Sequence, residues 1–65
     1  MSATTTPAVI ITPNYDGGDV ATVVGHAVGV SVDYAVEVVT ALVGDRQQAD
    51  LIVGAAERAA WAAAR

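Results

Sequence analysis

The residues of this chain that could do acid–base, metal or nucleophilic chemistry are few and scattered. The one histidine, His26, could work with Asp19 or Asp33. Such work needs a nucleophile beside the imidazole and a third group to orient it, and no such trio is spaced here. Asp16-Gly17-Gly18-Asp19 sets two acids around two glycines. A calcium loop needs further oxygen ligands and a terminal bidentate Glu, so the segment reads as a turn followed by a helix cap. No Gly-Lys-Ser/Thr follows the glycines, which excludes a phosphate loop. There is no Cys, hence no disulfide and no zinc–thiolate site. Asp33 and Glu37 stand at i, i+4, one face of a helix; with no groove to desolvate them they form an exposed acidic face. The expectation is no catalytic residue, no metal ligand and no cofactor.

Composition narrows the class further. The 65 residues make one domain at most, and a chain of this size buries only about 60% of the surface its unfolded form exposes. The apolar residues are mainly Ala and Val, with two Leu, one Trp and no Phe. Such a core is shallow, contributing roughly 3–5 kcal/mol at best, so neighbouring molecules are expected to share in stability. The net charge is −4, with three Arg and no Lys. That sign repels phosphate backbones and anionic lipid, so nucleic acid and membrane surfaces are unexpected partners. Met1 to Pro7 lack the basic and apolar regions of a secretory signal, and no run reaches a membrane span. An intracellular or virion setting is expected.

The elements that would position contact residues follow from local patterns. Residues 1–18 read as an extended arm and loop. Within it, 8–12 (Ala8-Val9-Ile10-Ile11-Thr12) is a short strand between Pro7 and Pro13. Asp19, Ser31 and Asp45 each sit where a helix N-cap belongs, and Gly29 and Gly44 where helices stop. Gln48, three residues after Asp45, adds a capping-box pattern. The spacing therefore predicts a mostly α protein. Residues 19–65 form a three-helix domain, with helices over about 19–28, 31–43 and 46–64. In 32–43, Val32, Val36, Val39, Leu42 and Val43 share one face, with Asp33, Glu37 and Thr40 opposite. A second pattern competes. Val28, Val30, Val32, Tyr34, Val36 and Val38 alternate with smaller or polar residues, the period of a strand. The alternative is an α+β chain of order β-β-β-α, with strands 8–12, 19–24 and 28–39.

On the helical reading, Val24-Gly25, Val28-Gly29-Val30-Ser31, Ala35 and Val38 lie as in a helix-turn-helix. Residues 20–43 resemble lactose-repressor-type DNA-binding domains in this turn pattern. The resemblance implies that Gly25 allows close helix crossing, that Gly29 makes the turn, and that the second helix faces DNA. Here that face would carry Asp33, Tyr34, Glu37 and Ala41, and no Arg or Lys precedes Arg46. Base-reading helices present donors, and phosphate contacts need cations. The shape could be kept only without the DNA.

On the last helix, Ile52, Ala55, Ala56, Ala59, Ala60 and Ala63 form one face. Gln47, Asp50, Gly54, Glu57, Arg58 and Arg65 form the other, and Trp61 falls with them. Trp61 is then either an anchor for a partner pocket, or it folds over the N-terminal loop at Tyr15 or Pro13, or stacks with Arg65 at i+4. The candidate partner-binding residues are Val9, Ile10, Ile11, Tyr15 and Trp61. The expected function is a non-enzymatic structural or interaction protein, docked on a protein partner or on its own copies through its arm and helical body. A small acidic protein with a strand-forming arm is similar in style to bacteriophage capsid decoration, minor capsid and head–tail proteins. The alternatives are an acidic helix-turn-helix-type regulator and a small binder that folds on its partner.

Overall fold

Val9, Ile10, Ile11 and Thr12 are all β-branched, and such side chains fit a pleated surface. In the computed structural model, which describes residues 7–14 and 18–64 (side chains of 26–28 apart), they lie in strand β1, Val9–Pro13. Two more strands follow, β2 (Asp19–Val23) and β3 (His26–Val30), then helices α1 (Val32–Val43) and α2 (Arg46–Ala63). The strands form one antiparallel sheet in the order β1-β2-β3. Val9 is opposite Val23, Ile11 opposite Ala21 and Pro13 opposite Asp19. The ladder extends beyond the strands, where Val24 N–H donates to the Ala8 carbonyl (2.8 Å) and Asn14 N–H to the Gly18 carbonyl (2.9 Å).

The expected three-helix body is therefore corrected. No helix spans 19–28; that segment is a hairpin of β2 and β3. Val20, Thr22 and Val23 are stiff at χ1 and favour strand, and Asp19 is a strand residue rather than a cap. Gly25 does not ease a helix crossing. Its φ of 91° makes the turn between the strands, a conformation open to Gly and strained for other residues. Gly29 lies within β3, beside Val20. The helix pair implied for 20–43 is absent. The α+β alternative fits in class, but its third strand stops at Val30, and 32–43 is helix.

Why the alternation gives way at residue 31 is visible in the caps. Ser31 is extended, and its Oγ accepts from Tyr34 N–H at 3.4 Å. At the other end Gly44, at φ 77°, donates its N–H to the Thr40 carbonyl, the left-handed stop that Gly makes cheaply. Asp45 then caps α2 through Oδ1, which accepts from Gln47 N–H at 2.9 Å. With both ends closed, the valines of 32–43 repeat at helical rather than strand spacing.

Both helices cover one face of the sheet. α1 packs on β2, α2 on β1, and the two helices on each other. The core between the layers is Ile11, Ala21, Val23, Ala35, Val36, Val39, Ala49 and Val53. Val9, Val30, Val32, Val38, Val43, Ile52, Ala56 and Ala60 pack around it half-buried. On α2 the inward face is thus centred on Ala49 and Val53, not on the expected Ile52-to-Ala63 row. Ala55, Ala59 and Ala63 are exposed. On α1, Leu42 is at the margin, 42% exposed, and the small Ala35 takes the buried place.

Candidate functional site

Large apolar side chains normally go inside, because buried area is what stabilises a fold. Here the order is inverted. Among the described residues the core contains nothing larger than Ile11; four of the eight buried there are Val and three Ala. Both leucines and the one tryptophan are outside: Leu42 at 42% exposure, Leu51 at 59% and Trp61 at 58%. Ile10, Val24 and Tyr34 are also open to solvent.

These side chains fall on three surfaces. The first is the sheet face turned away from the helices. Pairing sets Ile10 opposite Thr22 and Thr12 opposite Val20, so all four share that face, and Ile10, Thr12 and Val20 are exposed. The second is a flank of α1, where the exposed Tyr34 and Leu42 stand eight residues apart on either side of the half-buried Val38. The third is the outer face of α2. There Trp61 sits in a shallow hollow with Glu57, Arg58 and Ala62, and Leu51 lies about three turns toward the N-terminus.

The expected contact residues divide accordingly. Trp61 stands on the outer face of its helix, and Ile10 on the open face of the sheet. Ile11 is buried in the core and Val9 is half-buried beside it. Their strand is paired with β2, so 8–12 is not a lone strand in search of a partner. The outer edge of β1 offers little to an added strand. The bonds at Ala8 and Asn14 place the N–H groups of Val9 and Ile11 on the side away from β2. Pro7 and Pro13 supply no donor at either end. Tyr15 and the arm residues 1–6 lie outside the described residues, as do Asp16, Gly17 and Arg65.

Asp33 and Glu37 are both exposed on α1, away from the core and on the side opposite the Tyr34–Leu42 flank. Thr40, next to them on the wheel, donates its hydroxyl to the Val36 carbonyl. Asp33 is in the first turn, where a carboxylate suits the positive end of the helix. His26 lies in β3, and its side chain lies outside the described residues. Among the described residues, no three His, Cys, Asp or Glu side chains gather as metal ligands would. Among the described residues, no helix is long and apolar enough to cross a membrane. Leu42 and Leu51 were not singled out from sequence. The signal for Leu51 is in the wheel: it lies opposite Val53, the most deeply buried large residue of α2. Comparison with protein-family models, curated proteins and solved structures finds no match to this chain.

Proposed function

We propose that this protein is a small non-enzymatic binder, acidic and protein-directed, whose fold is completed by what it docks on. The observation that carries this reading is the inversion of sizes: Leu42, Leu51 and Trp61 are outside, and valines and alanines are inside. Among the described residues the core is four Val, three Ala and one Ile, thin for an isolated domain. Burying the outer side chains against a partner adds roughly 1.5–3 kcal/mol for each large one. Trp is also among the residues that dominate interface energies when fully desolvated. The net charge of −4 and the exposed Asp33 and Glu37 support a protein rather than a nucleic-acid partner.

The test is site-specific photo-crosslinking in cells that make the protein. A photoreactive side chain is placed in turn at positions 42, 51 and 61, and at 37 as a control. Covalent protein adducts are expected at the first three and not at 37. Equal labelling at all four positions, or none at any, would reject the reading.

A further inference from the structure

Gly54 is out of place in the middle of α2. A glycine inside a helix costs about 1 kcal/mol relative to Ala. No turn needs it, because its φ is not among the positive ones. No packing inside the molecule needs it either. A Cβ added there would meet only the Arg58 Nη1 atom, at 3.8 Å, an ordinary contact with the tip of a flexible side chain. The missing methyl group is thus unexplained by the chain's own fold. What a glycine does offer there is room for close approach of a second backbone from outside.

The residues around Gly54 say which backbone. Asp50 lies four residues before it and Arg58 four after, both exposed. Leu51 and Trp61, the two most exposed large apolar residues among those described, share this outer face. We propose that this face of α2 pairs with the same face of a second copy of the chain, antiparallel, about a two-fold axis passing at Gly54. The proposal rests on reading the large exposed side chains as contact surfaces, and it names the occupant of one of them.

The two-fold axis makes the charges complementary. Each Asp50 is set opposite the Arg58 of the other copy, so one self-complementary patch yields two acid–guanidinium pairs. The same axis lays each Trp61 over the Gln47 of the other copy, and each Leu51 along the stem of its Glu57. A parallel arrangement would set Asp50 against Asp50 and Arg58 against Arg58, which costs energy. The glycines meet at the crossing, where the two helices come closest. The shallow core of the single chain receives in this way the additional buried area that small domains commonly obtain by oligomerisation.

Sedimentation of the purified full-length chain tests this, with far-UV circular dichroism as the check on folding. The native chain is expected to form a dimer whose Trp61 fluorescence moves to the blue as the dimer forms. Asp50→Arg alone and Arg58→Asp alone should each weaken pairing at least about tenfold, since each places like charges opposite one another. Mixed one to one, the two variants should recover a dimer containing one of each. In that mixture every residue 50 again faces a residue 58 of opposite sign. Gly54→Leu should remove the dimer while leaving the helical spectrum in place. A native chain that stays monomeric up to millimolar concentration would overturn the proposal. So would a dimer indifferent to the single charge reversals, or variants that fail to recover on mixing. If the chain is monomeric and a crosslinker at 61 captures a different protein, the docking reading stands and the second copy is excluded.

Discussion

α1 is twelve residues long and hides Ala35, Val36 and Val39; α2 is eighteen residues long and hides only Ala49 and Val53. Both begin on a side-chain cap, and they share one core. They differ in what faces out. The largest exposed members of α1, Tyr34 and Leu42, flank a buried face and an acidic one. α2 carries Leu51 and Trp61 away from the core altogether, on either side of a glycine that its own packing does not require. The difference teaches that α1 is constrained mainly by the sheet beneath it. α2 carries features that its own packing does not account for, and these are what the proposed pairing draws on.

That division is broken most directly in the core. Val39 is fully buried in α1 and Val53 nearly so in α2. Val39→Ala removes two methyl groups and leaves a cavity, a loss of about 2 kcal/mol. Against a core of roughly 3–5 kcal/mol, the midpoint of urea unfolding should fall sharply. Val53→Ala should cost about the same. A much smaller loss at Val53 would mean that α2 is not held by the core at all.

The next comparison sets one glycine against the other. Gly44 ends α1 in the left-handed region at φ 77°, so Gly44→Ala should destabilise by about 1 kcal/mol. Gly54 sits in helical backbone with room for a methyl group. Gly54→Ala should therefore stabilise the single chain by up to about 1 kcal/mol. The same substitution should weaken self-association. Denaturant unfolding at low concentration and sedimentation at high concentration thus move in opposite directions. Identical signs in both would separate the glycine from any interface.

The caps are graded in the same way. Asp45→Ala should cost about 1 kcal/mol and Ser31→Ala only a few tenths. The Asp45 acceptor is 2.9 Å from its donor, and the Ser31 acceptor 3.4 Å, near the limit of a hydrogen bond.

These elements also show what a sequence can and cannot reveal of such a chain. The caps at Ser31 and Asp45 and the stop at Gly44 are local chemistry, and helices 32–43 and 46–63 follow from them closely. Strand 9–13 follows from its β-branched run between prolines. The segment 19–30 is ambiguous when taken locally. Asp19 before a valine run looks like a cap, and Gly25 and Gly29 look like helix punctuation. What favours the hairpin there is the β-branched run of β2 together with its pairing to β1, from Pro13–Asp19 to Val9–Val23. The acidity of Asp33 and Glu37 was plain from sequence and does not depend on the fold. Trp61 was legible as an outward residue because the helix wheel of α2 is clear. Leu42 falls on the apolar side of its wheel yet stands at the margin, 42% exposed, while the smaller Ala35 is fully buried.

The smallest expected effect is the one that most sharpens the contrast between the two faces of α2. Leu51 is a large apolar residue, and in an ordinary core its replacement by Gln would be ruinous. Here it is 59% exposed and lies opposite Val53 on the wheel. Leu51→Gln should change the stability of the isolated single chain by no more than about 0.5 kcal/mol, as for a surface substitution. Gln is also as good a helix former as Leu, which removes propensity as a confounding term. Urea unfolding, measured at a concentration where the chain is monomeric, reads this directly. Sedimentation at higher concentration should show weakened pairing in the same variant. A loss of 2 kcal/mol or so in the dilute chain would mean that Leu51 packs within its own molecule. The outer face of α2 would then be core surface, and the comparison with α1 would no longer stand.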